Sequence, residues 1–461
     1  MKTKELKEKL FANRKHGLIS SSDAVIKKAD KFCEGYKGFL NSAKTEREAV
    51  ITAVAAAKAK GFVEFVPDKK YKAGDKIYLN NRGKAAIFAV IGRENIENGV
   101  NIAAAHIDSP RIDLKPNPLY EAEDLAYFKT HYYGGIKKYQ WTTIPLSLHG
   151  VVVKADGDSV TVNIGENDDE PCFMITDLLP HLGAEQAKRT LSEGIKGEEL
   201  NILVGSRPFR DDKESELVKL GILKLLFDKY GMVEEDFLSA ELSLVPSAKA
   251  RDLGLDRSMI SAYGHDDRVC AYPALMAALD VKNPSRTVIT VLADKEETGS
   301  DGNTGMKSRF LTYFINELAK CFDSEGYRVL SKSRCLSADV NAGFDPTFPE
   351  VMEKRNAAFL NRGVVVTKYT GARGKGGTSD ASAEYMGEIR RMLDKAGVLW
   401  QIGELGKVDQ GGGGTVAMYI ANLNVDTVDL GVPVLSMHAP CEIVAKLDVY
   451  MAYLAIMAFY K

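Results

Sequence analysis

Ala293-Asp294-Lys295-Glu296-Glu297-Thr298-Gly299 places two adjacent carboxylates just after the apolar run Val288-Ile289-Thr290-Val291-Leu292. That run reads as a strand, and neighbouring side chains on an extended backbone point to opposite sides. One glutamate is then free to bind a metal while the other faces the metal's water, which is the layout of a hydrolase. Three other segments repeat an apolar run that ends in a metal-competent residue. Residues 101–105 lead into His106-Ile107-Asp108, residues 335–338 into Asp339, and residues 432–437 into His438. A fifth candidate, Asp266, precedes a stretch whose apolar residues Val269, Tyr272, Leu275, Met276 and Leu279 fall at helical spacing. Ligands of open α/β sheets gather outside the carboxyl ends of strands, so these ends are expected to face one crevice.

Each residue alone has a plainer reading. Asp266 or Asp267 serves as a helix N-cap, Asp339 as a strand-ending turn residue, His106 as a core histidine, and Glu296 with Glu297 as a solvated loop. The joint pattern outweighs these readings, because five such coincidences at element ends are hard to obtain by accident. Imidazole with carboxylate suits zinc, and manganese or cobalt where more oxygen ligands are present. Two such ions, roughly 3.5–4 Å apart, acidify a shared water and clamp a tetrahedral intermediate. Asp266, Glu297, Asp339, His106 and His438 would hold them, leaving Glu296 as general base.

The series His106-x-Asp108, Asp266-Asp267-Arg268, Glu296-Glu297, Asp339 and His438 resembles the dinuclear zinc aminopeptidases. Ala105-His106-Ile107-Asp108-Ser109-Pro110 with Asp113-Leu114-Lys115-Pro116, and Ser436-Met437-His438, resemble bacterial-type members of the aspartyl aminopeptidase family, peptidase family M18. The resemblance implies that Asp266 bridges two ions, with His106 and Asp339 completing one site and Glu297 and His438 the other. Asp108 would orient the second nitrogen of His106, and the Asp266-Asp267 peptide would be cis. The resemblance further implies removal of N-terminal residues from peptides, with acidic Asp or Glu in first position held by a cation at Lys368. Eukaryotic members carry a histidine where this chain has Ala342, which leaves Arg373 or Lys375 as compensating cations. An inserted domain would act in dimerisation and cover the site, with His181 reaching into a neighbouring subunit. Homo-oligomers, tetrahedral dodecamers built from dimers, are the implied assembly.

These residues need a scaffold, and the chain supplies its texture. Residues 20–57 read as helices with Leu40, Ala49, Ile51, Val54 and Ala55 in the core. The unbroken apolar run 85–91 suits a strand buried on both faces. From about 117 to 246 the pattern changes to alternating runs such as 146–153 and 160–164, joined at Asp156-Gly157, as in antiparallel hairpins. No candidate ligand falls there, although ligands occur on both sides. The expected fold is therefore α/β, with a mixed central sheet and helices on both faces in a catalytic domain of residues 1–116 and 247–461. A mainly antiparallel β domain is inserted at 117–246.

At 461 residues the chain has room for two domains. A formal charge of −2 gives no electrostatic reason to expect nucleic acid. The six cysteines include no Cys-x-x-Cys pair, which favours free thiols in a reducing, cytoplasmic setting. Residues 1–10 mix charges of both signs and lack the apolar core of a signal peptide. The apolar run 449–460 is about half the ~20 residues needed to span a membrane and reads as a buried helix. No membrane partner is expected.

Two glycine-rich stretches invite a nucleotide reading and do not support it. Residues 371–378 lack the Gly-Lys-Ser/Thr ending of a phosphate loop, and Gln410-Gly411-Gly412-Gly413-Gly414-Thr415 has no lysine. The second loop is expected to bring backbone close to a bound peptide. Two other functions share the ligand pattern: a carboxypeptidase or amide deacylase of related fold, and a catalytically silent metal-containing assembly protein. Glu296 argues against the last, since a structural site needs no spare carboxylate facing the water.

Overall fold

The computed structural model describes residues 3–12, 16–210 and 213–461. Of the N-terminal ten residues, Thr3–Leu10 forms a helix, and Met1 and Lys2 lie outside the described residues. The central element is a nine-stranded mixed sheet. Its order is Val63–Glu64, Lys76–Asn81, Ala85–Val90, Val288–Ala293, Asn101–His106, Arg334–Ser337, Asp426–Gly431, Val364–Thr367 and Trp400–Ile402. The strands ending at Ala293, His106 and Ser337 are adjacent and parallel.

Ala85–Val90 shows why such a run carries no polar residue: all six side chains are buried. Ala86, Phe88 and Val90 join one core, shared with the helices Asp23–Ser42, Glu46–Ala59, His265–Asp280, Ala383–Ala396 and Lys446–Tyr460. Ala85, Ile87 and Ala89 join the core on the other face, against Phe310–Lys320. The two-residue period thus feeds two helical layers from one strand. In Glu46–Ala59 the buried face is Ala49, Val50, Ala53 and Ala57. Val54 is only partly buried, and the expected core positions Ile51 and Ala55 lie on the outer face, Ile51 being 65% exposed. The apolar residues of this helix run nearly all the way round, so composition alone did not identify the inner stripe. Lys446–Tyr460 is the expected buried helix, and among the described residues no helix is long and apolar enough to cross a membrane.

A second, seven-stranded antiparallel sheet is built from residues 111–246. It has its own core around Ile112, Phe128, Trp141, Leu148 and Leu244. Its strand Arg111–Ala122 crosses the expected boundary at 117. A five-stranded sheet includes Asn341–Ala342, Pro433–Leu435 and Glu442–Ala445. The run 432–437 therefore belongs to this small sheet rather than the central one, and His438 approaches the crevice from a different layer.

Candidate active site

Strand register sets out the crevice. Ala293 pairs with His106 at the ends of two parallel strands. Beyond Ala293 the chain turns through a left-handed residue, Lys295 (φ 66°), into the short 3-10 turn Glu296–Thr298. On the other side of the His106 strand, Arg334–Ser337 leads to Asp339. Gly431 is required where the neighbouring strand passes this point, because a Cβ there would lie 1.6 Å from the Asp339 carbonyl oxygen. Asp266 stands at the start of the helix His265–Asp280, and the Asp266-Asp267 peptide is cis.

The predicted residues meet here. His106 Nε2 lies 3.2 Å from Asp266 Oδ1, 3.8 Å from Asp339 Oδ1 and 3.9 Å from Glu296 Oε2. From the other side, His438 Nε2 lies 3.1 Å from Asp266 Oδ2 and 3.5 Å from Glu297 Oε2. Asp266 therefore turns one carboxylate oxygen to each imidazole. Asp266, Glu297 and His438 form one group of donor atoms mutually within 4.8 Å, and His106 with Asp339 forms another, whose third member is Asp267. Glu296 and Glu297 also form such a group with His106.

Asp108 connects three parts of this arrangement. Its Oδ1 lies 3.3 Å from His106 Nδ1, and its two oxygens accept the backbone N–H groups of Glu296 and Glu297, each at 3.2 Å. The Tyr133 hydroxyl donates to Asp108 Oδ2 at 2.8 Å, so the second sheet reaches the site. Glu442 does a similar task behind Asp266 and His438, accepting their backbone N–H groups at 3.0 and 2.7 Å. His438 Nδ1 lies 2.8 Å from the Gly135 carbonyl oxygen, which directs Nε2 toward Asp266. Sequence reasoning missed Tyr133, Gly135 and Glu442. Glu442 lies in the strand Glu442–Ala445, where an isolated acid resembles a surface residue, and the other two lie far from the ligands in sequence.

Crowding of acids controls the electrostatics. Glu296 is pushed up to about 7 by burial, with Asp266 and Asp108 adding to it against the opposing pull of His106. Burial and neighbouring carboxylates hold Glu297 and Asp339 well above the usual range. Burial opposes the charged form of His438, but Asp266 and Glu297 outweigh it and lift the imidazole to about 10. Asp266, despite burial, is held below the ordinary range by the two histidines. Glu297 Oε1 is buried without a hydrogen-bond partner. Buried acids that raise one another's proton affinity, with an unpartnered oxygen among them, are satisfied by cations. The nitrogen and oxygen donors fit zinc.

Asp266, Glu296, Glu297, Asp339 and His438 line a cleft of about 330 Å³ that also includes Gly135, Asn341, Thr367, Leu405 and the glycine loop 412–414. In that loop Gly412 has φ 106°, and a Cβ there would lie 1.9 Å from the Gly371 carbonyl oxygen. Lys368 is not brought to the cleft. Its strand neighbour Thr367 lines the cleft instead, while Lys368 pairs with Asp380 and lines a different groove with Met386 and Trp400. Alternation along the strand is the reason: one residue of offset reverses the face. Lys375 also pairs with Asp380 and sits 3.7 Å from the Tyr369 ring centre, and neither it nor Arg373 lines the cleft. His181 is exposed within the segment that builds the second sheet and is not among the cleft residues.

Comparison with known proteins gives consistent matches over nearly the whole chain. A family described as "Aminopeptidase I zinc metalloprotease (M18)" matches residues 39–460. A "Probable M18 family aminopeptidase 1" of Clostridium acetobutylicum is 50% identical over 449 residues, covering 96% of this chain and 97% of the relative. The crystal structure of an M18-family aminopeptidase from Thermotoga maritima superposes with a TM-score of 0.93 at 42% identity, covering 98% of this chain and all of the other. A dodecamer structure of mApe1 from S. cerevisiae shares the fold, with a TM-score of 0.76 at 21% identity, covering 94% and 97% of the two chains.

Proposed function

Since the chain belongs to the M18 family of zinc metalloprotease aminopeptidases, we propose that the cleft holds two divalent ions, most simply zinc, and that Glu296 is its general base. Asp266 would bridge the pair, His106 and Asp339 would complete one site, and Glu297 and His438 the other. The observation that carries this reading is the split orientation of Asp266, with one oxygen 3.2 Å from His106 and the other 3.1 Å from His438. When bound, the ions would acidify a water between them and polarise the scissile carbonyl.

The remaining work falls to side chains. Glu296 borders the cleft while its backbone is anchored by Asp108, so its carboxylate has a fixed origin from which to accept the attacking water's proton and return it to the departing amine. Asp108 orients His106, Gly135 orients His438, and Glu442 holds the backbones of Asp266 and His438. Acids beside the cleft would also receive the substrate's α-ammonium group.

Carboxypeptidases and deacylases anchor a different end of the substrate, which provides the test. Metal-loaded protein should hydrolyse peptides with a free N-terminus and lose at least about 100-fold in kcat/KM on their N-acetylated counterparts, as expected when a charge contact of a few kcal/mol disappears. Equal turnover of the two forms would transfer the assignment to the deacylase reading.

The second domain would act as a dimerisation and lid domain, with His181 serving a neighbouring subunit's site. Exposed Leu178, Leu179, Leu182, Leu220, Leu225 and Phe227 support a homo-oligomer, for which a tetrahedral dodecamer of dimers is the proposed form. The free state of all six cysteines supports a cytoplasmic location. Acidic selectivity, implied by resemblance through Lys368, has no support from the cleft, because Lys368 faces away from it.

A further inference from the structure

The helices that cover the central sheet and the second sheet keep separate apolar cores. Where the two meet, ion pairs take over. Glu46 pairs with Arg111, and Arg47 and Lys84 pair with Glu241. A buried cluster in this seam centres on His149, which is 1% exposed on the strand Leu146–Val153. Its Nδ1 lies 2.7 Å from Oε1 of Glu48, on the helix Glu46–Ala59. Its Nε2 lies 3.1 Å from Oε1 of Glu166, just beyond the strand Ser159–Ile164. Buried Lys44, at the start of the helix, reaches Glu166 Oε1 at 2.8 Å, and Lys249 reaches Glu166 Oε2 at 2.6 Å. Glu170 accepts the backbone N–H groups of residues 165–167 behind Glu166. The strand neighbours of His149 are Asn163 and Ser243, and Ser243 donates to Asp113, which Arg111 holds.

A neutral imidazole has one N–H and one bare nitrogen. Here both nitrogens face carboxylate oxygens within hydrogen-bond distance, so a neutral ring would set a lone pair against a carboxylate. Both carboxylates are ionised. Burial opposes the charge on Glu166, but His149, Lys249 and Lys44 outweigh it and hold the carboxyl well below the ordinary range. Burial likewise opposes the charge on Glu48, and His149 with the Thr45 N–H outweighs it. The ring is therefore an imidazolium that donates to one acid on each side of the seam, and the two acids raise its proton affinity against the cost of burial. The sheet docked by this seam carries two groups to the cleft, the Tyr133 hydroxyl on Asp108 and the Gly135 carbonyl oxygen on His438.

We propose that protonated His149 is a latch docking the second sheet onto the helix Glu46–Ala59, and that its deprotonation at alkaline pH loosens the sheet and withdraws Tyr133 and Gly135 from the residues they orient. The proton affinity of His149 is higher in the folded chain than in the unfolded one, where imidazole titrates near pH ~6.5. Its contribution to stability is therefore complete below that pH and is lost as pH rises through the folded value. The link to turnover rests on the aminopeptidase reading of the cleft.

Melting temperatures and Leu-peptide kinetics of the full-length, metal-loaded protein test it, measured from about pH 6 to about pH 10 on wild type, His149→Gln and Glu48→Gln. At about pH 6, His149→Gln should melt about 3 °C or more below wild type, because removing one partner of a buried charge pair is costly even in a long chain. That gap should close as pH rises. Wild-type kcat/KM should fall with it, from about 10-fold above the variant's toward equality, as the partners of the metal ligands slacken. Glu48→Gln should keep the sheet docked without the charge. Glutamine still accepts the N–H groups at the helix start, and its amide donates to a neutral ring whose one N–H turns to Glu166. The gap between this protein and His149→Gln should stay constant over the range. A wild-type gap to His149→Gln that is constant or widens with pH, or a Glu48→Gln protein with wild-type pH dependence, would overturn the latch. If His149→Gln does not fold, Glu48→Gln against wild type decides alone. Converging melting curves with an unchanged ratio of kcat/KM would overturn the link to the site. If no protein hydrolyses the Leu peptide, the aminopeptidase reading falls together with that link, and the melting curves decide the latch.

Discussion

Glu296→Gln is expected to lower kcat by about 10²–10⁴-fold, the range supplied by a positioned general base, while bound metal stays at the wild-type level. Glutamine keeps the length and shape of the side chain and leaves intact the backbone hydrogen bond that Asp108 accepts from residue 296. Only proton acceptance is lost. The donor group of Asp266, Glu297 and His438 forms without Glu296, which itself groups with His106 and Glu297, so both proposed sites keep their ligands when its charge is removed. Because the lost interaction forms as the proton moves, kcat and kcat/KM should fall together. Full turnover in the variant, with metal retained, would remove Glu296 from the mechanism and leave the assignment of the base open among the remaining acids.

Asp266→Asn should have a comparable effect for a different reason. Its two oxygens serve two histidines, so neutralising it weakens both donor sets at once. Turnover is expected to drop by at least about 100-fold, since even indirect partners of a metal ligand are worth 10–100-fold. The backbone at this position is held independently, by Glu442 accepting its N–H and by Ser109 donating to its carbonyl oxygen, so the fold should survive. Thermal unfolding with and without zinc separates the two outcomes. The wild type should gain about 2.7 kcal/mol of stability at a zinc concentration 100 times Kd, and the variant should lose most of that gain. A variant that bound zinc and melted like the wild type would remove Asp266 from the bridging position.

Much of the site was legible because each key residue sits where a run of one character stops. His106, Asp339 and the Glu296-Glu297 pair follow apolar strands whose parallel alignment brings their ends together, and Asp266 precedes a helix with a clear apolar period. What failed to show depends on contacts between distant segments. Glu442 looks like an ordinary strand acid until the small sheet folds it behind Asp266 and His438. Tyr133 and Gly135 belong to the second sheet and its exit, and nothing local marks them as partners of Asp108 and His438. Lys368 illustrates a sharper limit: it directly follows the strand Val364–Thr367 and shares the outer groove with Val366, while Thr367 between them takes the inner face. Ile51 failed similarly, since a helix with apolar residues on several sides does not reveal which stripe meets the sheet.

The most direct test of the account is anomalous X-ray diffraction, at the zinc absorption edge, from crystals of the zinc-loaded protein. The expected result is two peaks per subunit, one beside His106 and Asp339, the other beside His438 and Glu297, with the Asp266 carboxylate shared between them. A single peak, or zinc bound only away from these residues, would contradict the two-ion site on which the proposed mechanism rests.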